Sequence, residues 1–320
     1  MQRASWMIAC ALALLIARSV PADGWKDRGH MMVAVVAYQN LTQPTKDRVD
    51  ALLLLNPDRV HWLALIPPGT SAARTKQMLF MIAATWPDRI KGDPAYHAAG
   101  PHGGNRPPHD PSASQNSGFD DFALHKYWHC IDVPFAPDGT ALPPIPTPNA
   151  KEWITVFRTV LASRSPDPLK AYDLSWLLHL IGDIHQPLHC VTRVSATSPE
   201  GDDGGNGVTL TAPPNLHTFW DDVLGTGKTP ATALTAAAHV AAAHVAAAPA
   251  AAASDLDVEH WVEESVSAAT STAYRQPPIG AGNGPFTLDR AYKARAKARA
   301  QERIALAGAR LANILNEELQ

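Results

Sequence analysis

The apolar residues of this chain recur at intervals of three and four. Val49 to Leu55, Met78 to Trp86, Val156 to Leu161, Trp176 to Ile181 and Ile304 to Leu315 all carry that spacing, and no long stretch alternates as a half-buried strand does. The pattern predicts an all-α fold and argues against parallel-sheet architectures. Between the runs lie segments rich in Pro, Gly, Asn and Asp: Gly92 to Gly118, 136–149 (APDGTALPPIPTPN) and 198–207 (SPEGDDGGNG). Loops of such length usually carry function or variation. Residues 231–253 are nearly all Ala, with His239 and His244 as exposed polar positions and a break at Pro249. Ala favours helix but buries little area, so this segment reads as a solvent-side helix or spacer. No fixed-period repeat and no linker between two cores is visible, which predicts one domain.

The N-terminus has the form of an export signal: Arg3, an apolar run from Met7 to Ala17, then small residues near Ala22 and Gly24. The run falls short of the roughly twenty residues a membrane span needs. The expectation is a signal peptide at 1–24, one domain at 25–320, no membrane span, and a secreted or periplasmic location. Cleavage after Ala22 and after Gly24 both fit. A chain of 320 residues with three cysteines relies on its core rather than on a disulfide framework. Cys130 and Cys190 could pair in an oxidising compartment, and otherwise read as two small buried residues. The formal net charge of −3 gives no overall field that would gather nucleic acid, so phosphate affinity has to be local. Fourteen histidines are the first sign of chemistry, because His is the commonest metal ligand.

Several familiar motifs fail. The segment Gly225 to Thr229 (GTGKT) would need Gly where Asp222 stands to form a phosphate loop, and Gly280 to Gly284 (GAGNG) lacks the dinucleotide spacing. Neither GxSxG nor HExxH occurs. The sequon Asn40-Leu41-Thr42 matters only where exported proteins are glycosylated.

What remains is a set of His and Asp residues in apolar surroundings. His179 and Asp183 are four apart, as are His217 and Asp221, so each pair shares one helix face. A buried His and carboxylate need partners, and one cation satisfies both. His189 follows Pro187, which aims its ring differently from that of His179. His185 points away from Asp183 and is left out. His30, Asp88 and His129 complete the candidates.

Taken in order, Trp25 and His30, Trp86-Pro87-Asp88, Trp128-His129 with Asp132, His179 with Asp183 and His189, Gly204-Gly205-Asn206, and Asn215 to Asp221 resemble the zinc-dependent single-strand nuclease and 3′-nucleotidase family of fungi, plants and bacteria. The resemblance implies an all-helical domain with three zinc ions in a cleft. It assigns Asp88, His129, His179 and Asp183 to one zinc, His189, His217 and Asp221 to a second, and Trp25, His30 and Asp183 to the third, with Asp183 bridging. It gives Asp88 and Asp183 catalytic roles and makes Lys91 the cation that stabilises phosphoryl charge. Cys130, Asp132 and Asn206 take positions associated with the nucleobase. Substrates would be single-stranded DNA and RNA and 3′-nucleotides.

Two departures stand out. Cys130 occupies a position that is usually aromatic in the family and would stack on a base, a contact that contributes about 1 to 3 kcal/mol. Gly92 to Gly118 reads as an insertion, and its His97, His102 and His109 have no place in the motif. Two rival readings are a zinc phospholipase C of related fold and a non-catalytic zinc- or nucleic-acid-binding protein. Phospholipases of that kind typically carry HxxxE where His217 and Asp221 stand and space the first Trp and His further apart, so both features favour the nuclease.

Overall fold

The computed structural model describes residues 25–108, 122–240 and 250–319; the expected signal segment, His109 and His244 lie outside the described residues. The described chain is mostly helical: α1 (Asp27–Asn40), α2 (Gln43–Leu53), α3 (Arg59–Ala64), α4 (Ala72–Ala83), α5 (Trp86–Arg89), α6 (Ala150–Ala162), α7 (Asp167–His185), α8 (Leu216–Asp222), α9 (Pro230–Val240), α10 (Ala250–Ser254), α11 (Val258–Ala268) and α12 (Arg290–Glu318). None of these helices is long and apolar enough to cross a membrane.

Helix α7 is the axis of the fold. It is buried continuously from Lys170 to His185 and packs against α1, α2, α5, α6, α11 and α12. A helix buried all round can carry polar side chains only if they are partnered, which makes His179 and Asp183 conspicuous. Helix α1 is likewise buried from Gly29 to Tyr38 and is gripped by α4, α9 and α12. The crossing with α12 is close because position 308 is Gly: a Cβ there would sit 2.5 Å from Val36 Cβ and 2.9 Å from the Val33 carbonyl.

A buried ionic knot fixes the C-terminal end of α7. Arg310, fully buried, donates to both oxygens of Glu264 at 2.7 and 2.8 Å and to His185 Nε2 at 3.0 Å. Arg303 donates to Glu264 at 2.7 Å and to Ser265 Oγ at 2.7 Å. Burial and the two guanidiniums hold the His185 pKa well below its ordinary value, and its Nδ1 donates to the Ile181 carbonyl at 2.7 Å. His185 is thus structural, as its offset from Asp183 predicts.

Three features depart from the sequence reading. Helix α1 has no three-four periodicity to find, because every side of it is covered. The Ala-rich segment is no spacer where it is described: Ala233, Ala237 and Val240 of α9 are buried against the rest of the core, small side chains allowing close approach to α1, while His239 is exposed as expected. A two-stranded parallel ladder also interrupts the helices, pairing β1 (Val133–Phe135) with β2 (Val191–Arg193), Val133 opposite Val191. Its strands are too short for alternation to be read.

Candidate metal centre

Six segments deliver the His and Asp side chains to one place, α8 supplying His217 and Asp221. Helix α7 supplies His179 and Asp183 from adjacent turns. After His185 a turn from Pro187 to Cys190 redirects the chain and presents His189. The parallel ladder then proves to be the alignment device. Ile131 N donates to the His189 carbonyl at 2.8 Å, and His189 Nδ1 donates to the His129 carbonyl at 2.8 Å, so the segments carrying His129 and His189 are stitched together just ahead of β1 and β2.

Asp88 comes from α5, whose Trp86 indole donates to Asp58 and sits edge-on to Trp176 of α7 at 5.9 Å. Arg89 bonds Asp27 at 3.0 Å and so ties α5 to the start of α1, one turn before His30. The His30 ring stacks on His179 at 3.8 Å between centroids. That approach requires Gly182, where a Cβ would lie 2.7 Å from His30 Nδ1.

Asp183 lies at the centre of the group. Its Oδ1 is 3.3 Å from His30 Nε2 and 3.8 Å from His189 Nδ1, while Oδ2 is 2.9 Å from His129 Nδ1 and 3.2 Å from His179 Nε2. Asp88 Oδ1 is 3.5 Å from His179 Nε2, and Asp88 Oδ2 is 3.9 Å from His30 Nε2. On the far side, His217 Nε2 is 3.5 Å from Asp221 Oδ2 and 3.2 Å from His189 Nε2. Ligand atoms gather into three sets that could each hold a metal ion: His30, Asp88 and His179; His129, His179 and Asp183; His189, His217 and Asp221. All nine positions singled out from the sequence lie within this part of the fold or, for Trp25, at its border: Trp25 is fully buried, and Lys26 N donates to the Asp221 carbonyl at 3.3 Å.

The donor set fits a cation for a reason visible in the hydrogen bonds. His179, His189 and His217 donate from Nδ1 to the carbonyls of Ala84, His129 and Gly204, each at 2.8 Å. In the neutral ring Nε2 then carries the lone pair, and these lone pairs point inward at one another and at the carboxylates. His30 Nδ1 and Nε2, His129 Nε2 and Asp183 Oδ1 are buried without a hydrogen-bond partner. Convergent acceptors and unpartnered buried nitrogens are costly until a proton or a metal lies between them.

Charge reinforces the point. Burial opposes ionisation of Asp183 and Asp88, yet their surroundings favour the charged form: the His179 and His189 rings hold Asp183 well below the usual carboxylate range, and Lys91 with His179 does the same to Asp88. Burial also opposes protonation of His179, but Asp183 and Asp88 carry it up to about 10. Burial and Lys91 push His129 down to about 3. Beside two charged carboxylates His179 thus holds a proton, at a place where a metal ion could lie instead.

Lys91 donates to Asp88 Oδ1 at 2.7 Å with its side chain 7% exposed. It also borders a cavity of about 30 Å³ shared with Asn105, Pro107, Lys126, Cys130, Asp132 and Asp203. Two residues expected near a base, Cys130 and Asp132, line it; the third, Asn206, bonds the Asp203 carbonyl at 2.9 Å and is absent from the wall, where Asp203 stands instead. Cys130 and Cys190 are both free thiols. Sequence reasoning missed the contribution of the loop that runs through His97 to Pro107. His97 pairs with the backbone on either side of Ala123, and beyond it Asn105 and Pro107 reach the cavity while Arg106 bonds Asp132 Oδ2 at 3.2 Å. No spacing rule links position 106 to position 132.

Comparison with known proteins agrees with this geometry. A family model described as S1/P1 Nuclease matches residues 25–320, whereas no curated protein matches the chain. With essentially the whole chain inside that match, and with His and Asp groups that could bind metal assembled around Asp183, the protein belongs to the S1/P1 nuclease family of metal-dependent hydrolases.

Proposed function

We propose that the protein is an exported phosphodiesterase, dependent on three zinc ions, that cuts single-stranded DNA and RNA to 5′-phosphorylated products and removes 3′-phosphates. The observation that carries the reading is the convergence of inward-facing imidazole lone pairs and carboxylates on Asp183, within reach of Lys91. Imidazole and carboxylate donors suit zinc, and sets of three or four leave positions open for substrate. The ions would be held as the family resemblance assigns them, the third by His30, Asp183 and the amine and carbonyl of Trp25. Bound zinc supplies Lewis acidity toward the phosphate and toward water near neutral pH, and its local charge lets an acidic protein hold a polyanion.

The residues of this chain divide the remaining work. Asp88 has one oxygen held by Lys91 and the other turned toward His30, which positions it to accept a proton from an attacking water. Lys91 has an ammonium that can turn from Asp88 to a phosphoryl oxygen as negative charge develops there. Its burial strengthens that contact by excluding water.

The test is one preparation assayed for metal content and for turnover of single-stranded DNA, RNA, a 3′-nucleotide, duplex DNA and phosphatidylcholine. Close to three zinc ions, faster cutting of single strands than of duplex, and 5′-phosphate ends are expected. Turnover of the phospholipid alone would favour the phospholipase reading, and no turnover by zinc-loaded protein would favour a binding protein.

A further inference from the structure

We propose that Arg106 and Asp132 form a base-reading pair that favours guanine over adenine. The inference rests on the nuclease reading and on a base lying near Asp132. It goes beyond both, because Arg106 belongs to the inserted loop and has no place in the family pattern quoted above.

The geometry orders the site. Lys91, bonded to Asp88, lines the same cavity as Asp132 and Asp203, so a phosphate at Lys91 leaves its base within reach of Asp132. The cavity itself holds only a water or two, so a base has to be read outside it. Arg106 lies between the lining residues Asn105 and Pro107, and its side chain is 32% exposed while that of Asp132 is 14% exposed. The bridge uses one nitrogen of Arg106 and one oxygen of Asp132, Nη1 to Oδ2 at 3.2 Å. Among the described residues nothing else is bonded to the remaining guanidinium N–H groups or to Oδ1, which can therefore meet a ligand.

The pair is held in place from both sides. Asp132 sits in left-handed backbone at φ 59°, a conformation that non-glycine residues rarely adopt without a local demand. The loop carrying Arg106 closes on itself at Gly100, φ 98°, where a Cβ would lie 2.4 Å from the Arg106 carbonyl. Burial and Asp203 raise the Asp132 carboxyl to about 7, while Arg106 pulls it back toward the charged form.

A carboxylate beside a planar donor matches one Watson–Crick edge better than another. Guanine offers N1–H and N2–H to a carboxylate and O6 to an adjacent guanidinium. Adenine offers one donor group, with an acceptor where Asp132 would need a second. Because Cys130 cannot stack as an aromatic ring would, hydrogen bonding carries more of the discrimination, and a mismatched edge leaves Asp132 or Arg106 unpaired. Arg is also suited to this place because its plane can lie against a base.

The experiment compares zinc-loaded wild type, Arg106→Ala, Arg106→Lys and Asp132→Asn. Dissociation constants for 5′-GMP and 5′-AMP are measured by calorimetry, and kcat/KM for 3′-GMP and 3′-AMP on the same samples. Wild type should favour guanine about tenfold in both measurements, the size of one good bidentate base contact. Arg106→Ala and Asp132→Asn should bring the ratio near one. Arg106→Lys, which keeps a cation but loses the planar fork, should fall between and guards against a loop that collapses in the Ala variant. Equal binding of the two nucleotides by an active wild type, or an undiminished preference in Arg106→Ala, would overturn the pairing while leaving the nuclease reading intact. Failure of the zinc-loaded protein to bind or turn over any nucleotide would overturn both.

Discussion

His189 and His217 face each other Nε2 to Nε2 at 3.2 Å, although each ring already donates its Nδ1 hydrogen to a backbone carbonyl. With both Nδ1 hydrogens so engaged, the two Nε2 atoms converge where a metal would lie. His217→Ala should therefore release about one metal ion per chain and lower activity by about a hundredfold, and it should lower the melting temperature more in the metal-loaded protein than in the metal-free protein, where only the Gly204 hydrogen bond and the packing of the ring are lost. Metal analysis and thermal melts with and without chelator check this. A metal-free variant melting far below metal-free wild type would show that the ring is structural.

Asp183 and Asp221 differ in how many histidines they face. Asp183 presents both oxygens to histidines of separate sets, whereas Asp221 serves one and is steadied by Gln186 Nε2 at 2.8 Å. Asp183→Ala should lose more metal and more activity than Asp221→Ala. Equal, mild losses would remove the bridging role.

Gly182 tests the packing beneath the centre. A methyl group at this position meets the His30 ring, so Gly182→Ala should push His30 off its place, destabilise the fold by about 1 to 3 kcal/mol and weaken one metal site. Circular dichroism should show the helices retained. Full metal content with unchanged activity would mean that the ring yields freely.

The new N-terminus supplies a further prediction. A free α-amine has an ordinary pKa of about 7.7 to 8.0, so a metal can displace its proton near neutrality, whereas an amide nitrogen is a poor ligand. Exported protein should begin at Trp25, after cleavage behind Gly24. A chain beginning Met-Trp25 should lose one zinc ion and most of its activity unless the Met is removed. N-terminal sequencing and intact mass with activity assays decide it, and full activity in a chain that keeps residues before Trp25 would exclude that site as drawn.

The pH dependence of binding should carry the mark of Asp132. Its pKa is raised to about 7, so the carboxylate forms as pH rises through that value. Ligands that donate N–H groups bind the charged form, so KM for a 3′-nucleotide should fall between about pH 6 and 8. Asp132→Asn should flatten that fall. Arg106→Ala, which removes the cation opposing the shift, should move it to higher pH. A KM profile identical in wild type and Asp132→Asn would assign the titration to another group.

The helical fold was legible because amphipathic helices such as α6 and the second half of α12 write their buried face into the chain at a fixed period. So was much of the candidate centre: His179 with Asp183 and His217 with Asp221 declare themselves as candidate ligands through a four-residue spacing that only a helix makes meaningful. Helix α1 was hidden because burial on all sides erases periodicity, and the ladder between β1 and β2 was hidden because three residues are too few to alternate. The relationships across long sequence separations belong to the tertiary structure alone. His129 meets Asp183, Gly182 admits His30, and Arg106 bonds Asp132 because packing brings distant backbone together. Local propensity fixes which face a residue occupies; the contacts that face makes are set by the elements that pack against it.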